Sequence, residues 1–504
     1  MNGINFEDRT IALIGNEFHC RRFYIQFHTL LNIRYFFYIK KGKWFSAAET
    51  FFKENTKVKC MFIDEKVIKK ENLLLILCNE HPFRSFYDTA LFNMGNEWGR
   101  DYIDFLYVIQ YYRQKYSFSL EEKNIWIFGA GNNGKRFYEK YKDIYHISGF
   151  VSNYSEEKEC KGLPVIRPHS LSGDENSYVV ICSEQDAVMA RQLSETGLCG
   201  DRDYGFESTL PKKLFIATGT CQIVVTANAL YRNDDFRAHY DLCVFMDSMY
   251  NVCSDADNRR LKEYGSYCDT VFFNVVNTGS SEQRNYQYLV DDFYQNADKL
   301  FMPFYYFRGQ LMQATGEENR YTVRRPFSYH LWLRGDEEVN RLVENGLTEE
   351  QILERVSGDY WTEEEIRNNF QKEMKKIEIW DRVSSFPLRP FIEENYKSLM
   401  IFSDGTHFCR QLAFYLANKI AVHLRIKPIC NTGILDELVS ETKSIMPVYP
   451  CVRQALGLKM ADKYRFYNEE KKECEELEFK DFIKRYMQYV TQIRSIYEES
   501  GTLF

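Results

Sequence analysis

Three times along this chain an apolar run closes on a glycine-bearing turn and passes into a helix-forming stretch. The runs are Thr10-Ile-Ala-Leu-Ile-Gly15, Asn124-Ile-Trp-Ile-Phe128 followed by Gly129, and Lys213-Leu-Phe-Ile-Ala217 followed by Gly219. A strand that ends in a tight turn and enters a helix must return to its sheet by a crossover. Repetition of the unit therefore leads to parallel strands with helices on both faces, an α/β multidomain chain. At roughly 100–200 residues per domain, the 504 residues suggest three units: 1–118, of no assigned role, 119–210, and 211–504.

Within the first unit a second apolar run, Leu73 to Leu77, leads into a region read as helical to about Lys115. The second unit adds strands at 147–151 and 178–182 around a turn at Gly162-Leu-Pro164. The third adds strands at 242–246 and 270–276, then becomes helical beyond Thr348. Thr348-Glu-Glu-Gln351 and Thr362-Glu-Glu-Glu365 are capping boxes, in which hydroxyl and carboxylate or carboxamide satisfy orphan amides in both directions. Near the C-terminus, Phe479, Phe482, Ile483, Tyr486, Val490, Ile493 and Tyr497 share one helical face, which reads as core or as a homo-oligomer seam.

Composition excludes several classes. Lys plus Arg is 65 against 72 for Asp plus Glu, a net charge of −7, so the chain lacks the cationic footprint of a nucleic-acid binder. Its 14 cysteines include no CxxC pair, which argues against a metal site and for reduced thiols. No apolar run is long enough for a transmembrane segment, and MNGINFEDRT is not a signal peptide; the expected location is cytoplasmic.

Gly129-Ala-Gly131-Asn-Asn-Gly134 is a GxGxxG turn between strand and helix, the context in which Gly129, Gly131 and Gly134 let a backbone approach a phosphate at a helix N-terminus. The following strand ends Phe150-Val-Ser152-Asn153, with serine where a ribose-binding acid belongs, so NAD is disfavoured. The segment 122–210 resembles the small Rossmann-like domains that accompany bacterial sugar-modifying enzymes. Its candidate ligand is a nucleotide or nucleotide-sugar; the alternative is a domain that only positions its neighbour.

Cys221 has the setting of a nucleophile, just after a strand and a glycine at the start of a helix. Amides there favour a thiolate, and the N–H groups of Cys221 and Gln222 could hold an oxyanion. The plain alternative is a small buried side chain. His407, in Phe402-Ser-Asp-Gly-Thr-His407, is the candidate base, and Asp404 three residues earlier can reach round the turn to fix its tautomer; the alternative is a capping or exposed histidine. Asn274, at a strand end, could add an oxyanion donor or simply bond to backbone. Arg324 and Arg325 form a cationic pair that could meet phosphates or be solvated.

The region 213–426 resembles the WcbI-type polysaccharide biosynthesis acetyltransferases. The resemblance rests on Gly219-Thr-Cys-Gln222 for GNCQ and on the strand Asp269–Val275, which carries Asn274 where the family usually has Gln. It also rests on Phe301-Met-Pro-Phe-Tyr-Tyr-Phe307 for IPxxYF, and on Phe391-Ile-Glu-Glu-Asn-Tyr396 with Leu399–Phe402 and His407 for NY…LF…NHP. Thr220 replaces the family asparagine, and Thr-His-Phe replaces Asn-His-Pro. The resemblance implies Rossmann-like N-terminal modules followed by an SGNH-like α/β domain with added helices. The implied activity is an O-acetyltransferase with coenzyme A as co-substrate and a polysaccharide or lipid-linked sugar as acceptor. Gly219, Gln222 and Asn274 would lie at the oxyanion or substrate, and Cys221, His407 and Asp404 would be catalytic. A carbohydrate esterase and a non-catalytic nucleotide-sugar-sensing scaffold are the alternatives.

Overall fold

The computed structural model describes residues 4–38, 51–52, 56–63, 65–78, 91, 95–154, 156–171, 176–200, 202–246, 255–274, 294–314, 335–430, 445–460, 462–468 and 473–500. Its framework is three parallel sheets in chain order. The first holds β1 (Thr10–Gly15), β2 (Asn32–Tyr38), β3 (Lys59–Phe62), β4 (Leu74–Cys78) and β5 (Tyr102–Asp104), in the order β3-β2-β1-β4-β5. Helices α1 (Glu17–Phe27), α2 (Glu65–Lys70) and α3 (Phe105–Lys115) belong to it. The stretch read as helical up to Lys115 lies partly outside the described residues, and its described part contains β5 ahead of α3. A three-residue edge strand is too short for alternation to register.

The second sheet holds β6 (Asn124–Phe128), β7 (Ile147–Val151), β8 (Glu159–Cys160), β9 (Leu163–Ile166), β10 (Ser177–Ile181) and β11 (Tyr204–Phe206), with α4 (Asn132–Tyr141) and α5 (Asp186–Glu195). Its order β11-β10-β6-β7-β9-β8 repeats that of the first sheet, with β8 added antiparallel at the edge. In the third unit, β12 (Lys213–Gly219), α6 (Cys221–Tyr231), α7 (Asp234–His239), β13 (Tyr240–Met246), α8 (Asp255–Gly265), β14 (Thr270–Phe273) and β15 (Asp298–Phe301) follow one another. Its four strands are parallel in the order β13-β12-β14-β15. The expected strand 270–276 stops at Phe273; Val275 and Val276 lie outside the described residues.

Beyond the sheets come α9 (Glu337–Glu344), α10 (Glu349–Ser357), α11 (Glu363–Asp381), α12 (Arg389–Asn395), α13 (Arg410–His423) and α14 (Pro450–Leu456). A hairpin, β16 (Lys463–Asn468) and β17 (Glu473–Glu478), leads to α15 (Phe479–Ser500). Both capping boxes form: Thr348 caps α10 with Gln351, and Thr362 caps α11 with Glu365. Phe479, Phe482, Ile483, Tyr486 and Val490 are buried, so this face of α15 is core; the side chains of Ile493 and Tyr497 lie outside the described set.

Strand alternation explains how the units join. Successive side chains leave opposite faces of a strand. Along β12, Leu214 and Ile216 enter the core that contains α3 and the first sheet, whereas Phe215 and Ala217 enter the core built with α6, α11 and α13. Along β14, Val271 and Phe273 take the first side and Phe272 the second. Residues of the N-terminal unit thus cover one face of the third sheet. Each fully buried aliphatic or phenyl side chain there contributes roughly 1.5–3 kcal/mol. Polar ties reinforce the seam: Arg113 on α3 holds both carboxylate oxygens of Asp269 at 2.7 and 2.8 Å and donates to the Lys212 carbonyl at 2.8 Å.

Candidate active site

In an open parallel sheet the crevice forms where strand order reverses, outside the carboxyl ends of the central strands. In the third sheet that point lies between β12 and β14, and Cys221 and Asn274 stand there. β12 ends at Gly219, whose φ of +139° suits glycine; a Cβ on it would lie 2.2 Å from Asn274 Oδ1. The glycine thus lets the asparagine close over the turn. Asn274 Oδ1 accepts from the Thr220 N–H at 2.9 Å, and its Nδ2 donates to Thr220 Oγ1 at 2.9 Å. The matching turn of the first sheet uses backbone instead, with the Asn16 N–H donating to the Cys78 carbonyl at 2.9 Å. The Asn274 amide therefore braces the Cys221 turn, and that commitment explains its presence at a buried strand end.

Cys221 is the first residue of α6, half-buried. The Thr220 carbonyl accepts from the N–H groups of Ile223, at 2.9 Å, and Val224, at 3.2 Å. The amides of Cys221 and Gln222 have no intrahelical acceptor, as for any helix start. They are the expected oxyanion donors. The Gln222 side chain is engaged elsewhere: it is 2 % exposed, and its carboxamide bonds to the backbone of Tyr305 and Thr406.

His407 comes from a turn between α12 and α13. Asp404 shapes that turn: its Oδ1 accepts from the backbone N–H of Thr406 and of His407, each at 3.0 Å. Gly405 between them has φ +89°, and the turn is closed by the Ser403 N–H donating to the His407 carbonyl at 2.9 Å. His407 Nδ1 lies 2.8 Å from Asp404 Oδ2 and 3.0 Å from Oδ1. The other ring nitrogen is left for the thiol, and the Cys221 side chain is hydrogen-bonded to His407. Two stretches far apart in sequence meet as sulfur, imidazole and carboxylate.

The electrostatics follow from that contact. Burial opposes charge on His407, but Asp404 on one side and the Cys221 sulfur on the other lift its pKa well above the ordinary histidine value. Burial likewise pushes the Asp404 carboxyl up, and the His407 charge with the N–H donors of Thr406 and His407 outweighs it, bringing the group to about 2. The arrangement favours a protonated His407 ring between the Cys221 sulfur and the Asp404 carboxylate, which fixes it.

The glycine-rich turn lies on the second sheet. Gly129 has φ +125°, and Gly131 is the N-cap of α4 with open space around its Cβ position. Gly134 packs so closely that a Cβ would sit 1.8 Å from the Gly129 carbonyl, a helix-to-strand contact. Ser152 follows β7, its Oγ accepting from the Tyr154 N–H at 3.3 Å. Arg324 and Arg325 lie outside the described residues. Among the described residues, no group of three His, Cys, Asp or Glu lies together to hold a metal, and no helix is long and apolar enough to cross a membrane. None of the described cysteines is in a disulfide.

Sequence reasoning missed the supports around the triad. The Thr406 hydroxyl lies 3.0 Å from Asp404 Oδ1 and 3.2 Å from His407 Nδ1. The Phe307 N–H donates to the Gly405 carbonyl at 2.8 Å, so the segment 301–307 runs beside the histidine turn. No local pattern announces such cross-chain bonds.

No family model matches the chain, and no curated relative does. Among solved structures, one match is WcbI, described as a polysaccharide biosynthesis enzyme in a native form without a disulfide between coenzyme A and a cysteine. It is 13 % identical over 57 % of this chain and 94 % of that one, with a TM-score of 0.43.

Proposed function

We propose that this chain is a cytoplasmic coenzyme A-dependent O-acetyltransferase of surface-polysaccharide synthesis, acting on a hydroxyl of a polysaccharide or lipid-linked sugar. The observation that carries the reading is the Cys221–His407–Asp404 contact at the switch point of the third sheet. The order β13-β12-β14-β15 supports an SGNH-like core, and the ordered motif pieces from Gly219 to His407 support the acyl-transfer class. For the second sheet we propose a nucleotide or nucleotide-sugar at the 129–134 turn.

In the covalent route the Cys221 thiolate attacks the thioester carbonyl, while the N–H groups of Cys221 and Gln222 face the developing oxyanion. The carbon–sulfur bond to coenzyme A breaks, and the departing sulfur takes the proton held by His407. The sugar hydroxyl then attacks the acyl-cysteine as His407 removes its proton, and Cys221 leaves as thiolate. In direct transfer the pair starts as neutral imidazole and thiol: His407 takes the hydroxyl proton as the sugar oxygen attacks the thioester carbonyl, the carbon–sulfur bond breaks, and the departing coenzyme A sulfur receives that proton from His407.

The test is acetyl transfer from acetyl-coenzyme A to oligosaccharide acceptors, read as free coenzyme A thiol and acetylated sugar. Acceptor-dependent release that falls at least about a hundredfold in Cys221→Ser and His407→Ala supports the reading. Ester hydrolysis without coenzyme A makes the chain an esterase. Wild-type turnover in His407→Ala overturns the assignment of the base.

A further inference from the structure

The residue after the thiol does more than continue the helix. Gln222 Oε1 accepts from the Tyr305 N–H at 3.1 Å while its Nε2 donates to the Tyr305 carbonyl, so the carboxamide pairs with the backbone of one residue in both directions. Nε2 also donates to the Thr406 carbonyl at 2.8 Å. Thr406 immediately precedes His407, and the Phe307 N–H binds the Gly405 carbonyl in the same turn. Segments 83 and 184 residues away in sequence therefore meet on a single buried side chain at the start of α6.

We propose that the Gln222 side chain is a positioning group that sets the approach of the Cys221 thiol to the His407 imidazole, acting through Thr406 and not on substrate. This rests on the Cys221–His407–Asp404 reading above. A thiol is a weak donor and cannot by itself hold an imidazole in register. A carboxamide fixed by three hydrogen bonds can, because each bond is directional and a buried carbonyl left unpaired is costly. The misplacement it prevents matters: about 1 Å at a reacting pair costs on the order of a hundredfold in rate. Among the described residues, the charged or titratable groups against the ring are Asp404 and Cys221, and the Arg308 side chain packs on Gly405, 3.2 Å from where its Cβ would be.

The experiment is alkylation of the full chain with iodoacetamide from pH 5.5 to 9, read on the Cys221 peptide by mass spectrometry. The exposed thiols Cys199, Cys430 and Cys474 serve as references in the same samples. In the wild type, Cys221 should keep most of its reactivity at pH 6 while the references lose theirs. In Gln222→Met, which keeps the bulk and removes the hydrogen bonds, the pH 6 rate should fall at least about tenfold, the effect of a one-unit pKa change. Asn233→Leu supplies the control: it removes an N-cap and a bond to the Lys427 carbonyl beyond the far end of α6. It should lower the melting temperature without changing the Cys221 ratio. Should Gln222→Met fail to fold, Gln222→Asn, one methylene too short to reach, is read by the same ratio. A wild-type ratio in the folded Gln222 variant overturns the positioning role. Wild-type Cys221 that follows the pH curve of the reference thiols overturns the thiol–imidazole reading itself.

Discussion

Replacing Asp404 with asparagine isolates the carboxylate's charge while keeping its shape. The asparagine oxygen can still accept from the Thr406 and His407 amides, as Oδ1 does now at 3.0 Å. Its NH2 would then face His407 Nδ1 in place of Oδ2. Two donors cannot meet, so the ring must carry its proton on the nitrogen facing Cys221, and a thiol cannot give its proton to a site already protonated. The Asp404 carboxyl falls from its ordinary 3.8 to about 2; at about 1.4 kcal/mol per pH unit this is roughly 2.5 kcal/mol, about sixtyfold in favour of the carboxylate. Tautomer loss adds to that, so turnover should drop between about a hundred- and ten-thousandfold. Alkylation of Cys221 at pH 6 should drop at least about tenfold. The sign with pH is fixed. A depressed carboxyl stabilises the fold fully above its ordinary 3.8 and loses that contribution as pH falls through about 2. The raised His407 contributes fully below its ordinary 6.5 and loses it as pH rises through the elevated folded value. The wild-type advantage in denaturation by urea should therefore shrink from pH 6 towards pH 3. Wild-type turnover together with wild-type alkylation in Asp404→Asn would refute the role given to the carboxylate.

Other outcomes follow from neighbouring contacts. Asn274→Leu removes both bonds to Thr220 and should lower stability by about 1–3 kcal/mol in urea denaturation; Asn274→Asp still accepts from the Thr220 N–H and hydroxyl and should cost less. An equal loss in the two variants would mean that the turn does not depend on this brace. Arg113→Ala breaks the paired bonds to Asp269 and the tie to Lys212. It should lower the melting temperature of the whole chain as one transition, whereas early melting of the N-terminal unit alone would contradict a shared core.

Part of the fold was legible because strands buried on both faces read as unbroken apolar runs that end in a glycine turn. β1, β6 and β12 announce themselves this way, and the threonine caps of α10 and α11 are equally local. β5 escaped because three residues carry no period, and the run 270–276 looked longer than the strand it contains because the sequence does not mark where Asn274 leaves the sheet. At the site, the spacing of Asp404 and His407 is a local relation within one turn and could be read directly. Gln222 was expected at an oxyanion through its backbone N–H and Asn274 through its side chain; in the structure the Gln222 carboxamide holds the backbone of Tyr305 and Thr406, and the Asn274 carboxamide holds the Thr220 N–H and hydroxyl.

By itself the sequence determined the parallel α/β character, the turn that starts α6 at Cys221, and the carboxylate that can fix His407, because each depends on residues a few positions apart. Only the tertiary structure decided that the thiol meets that imidazole, that Gln222 bridges the two segments, and that the N-terminal unit covers a face of the third sheet. Those are contacts between distant parts of the chain, set by strand order and by which face of β12 each side chain leaves. A one-dimensional pattern records which residues are apolar, and packing alone selects their partners.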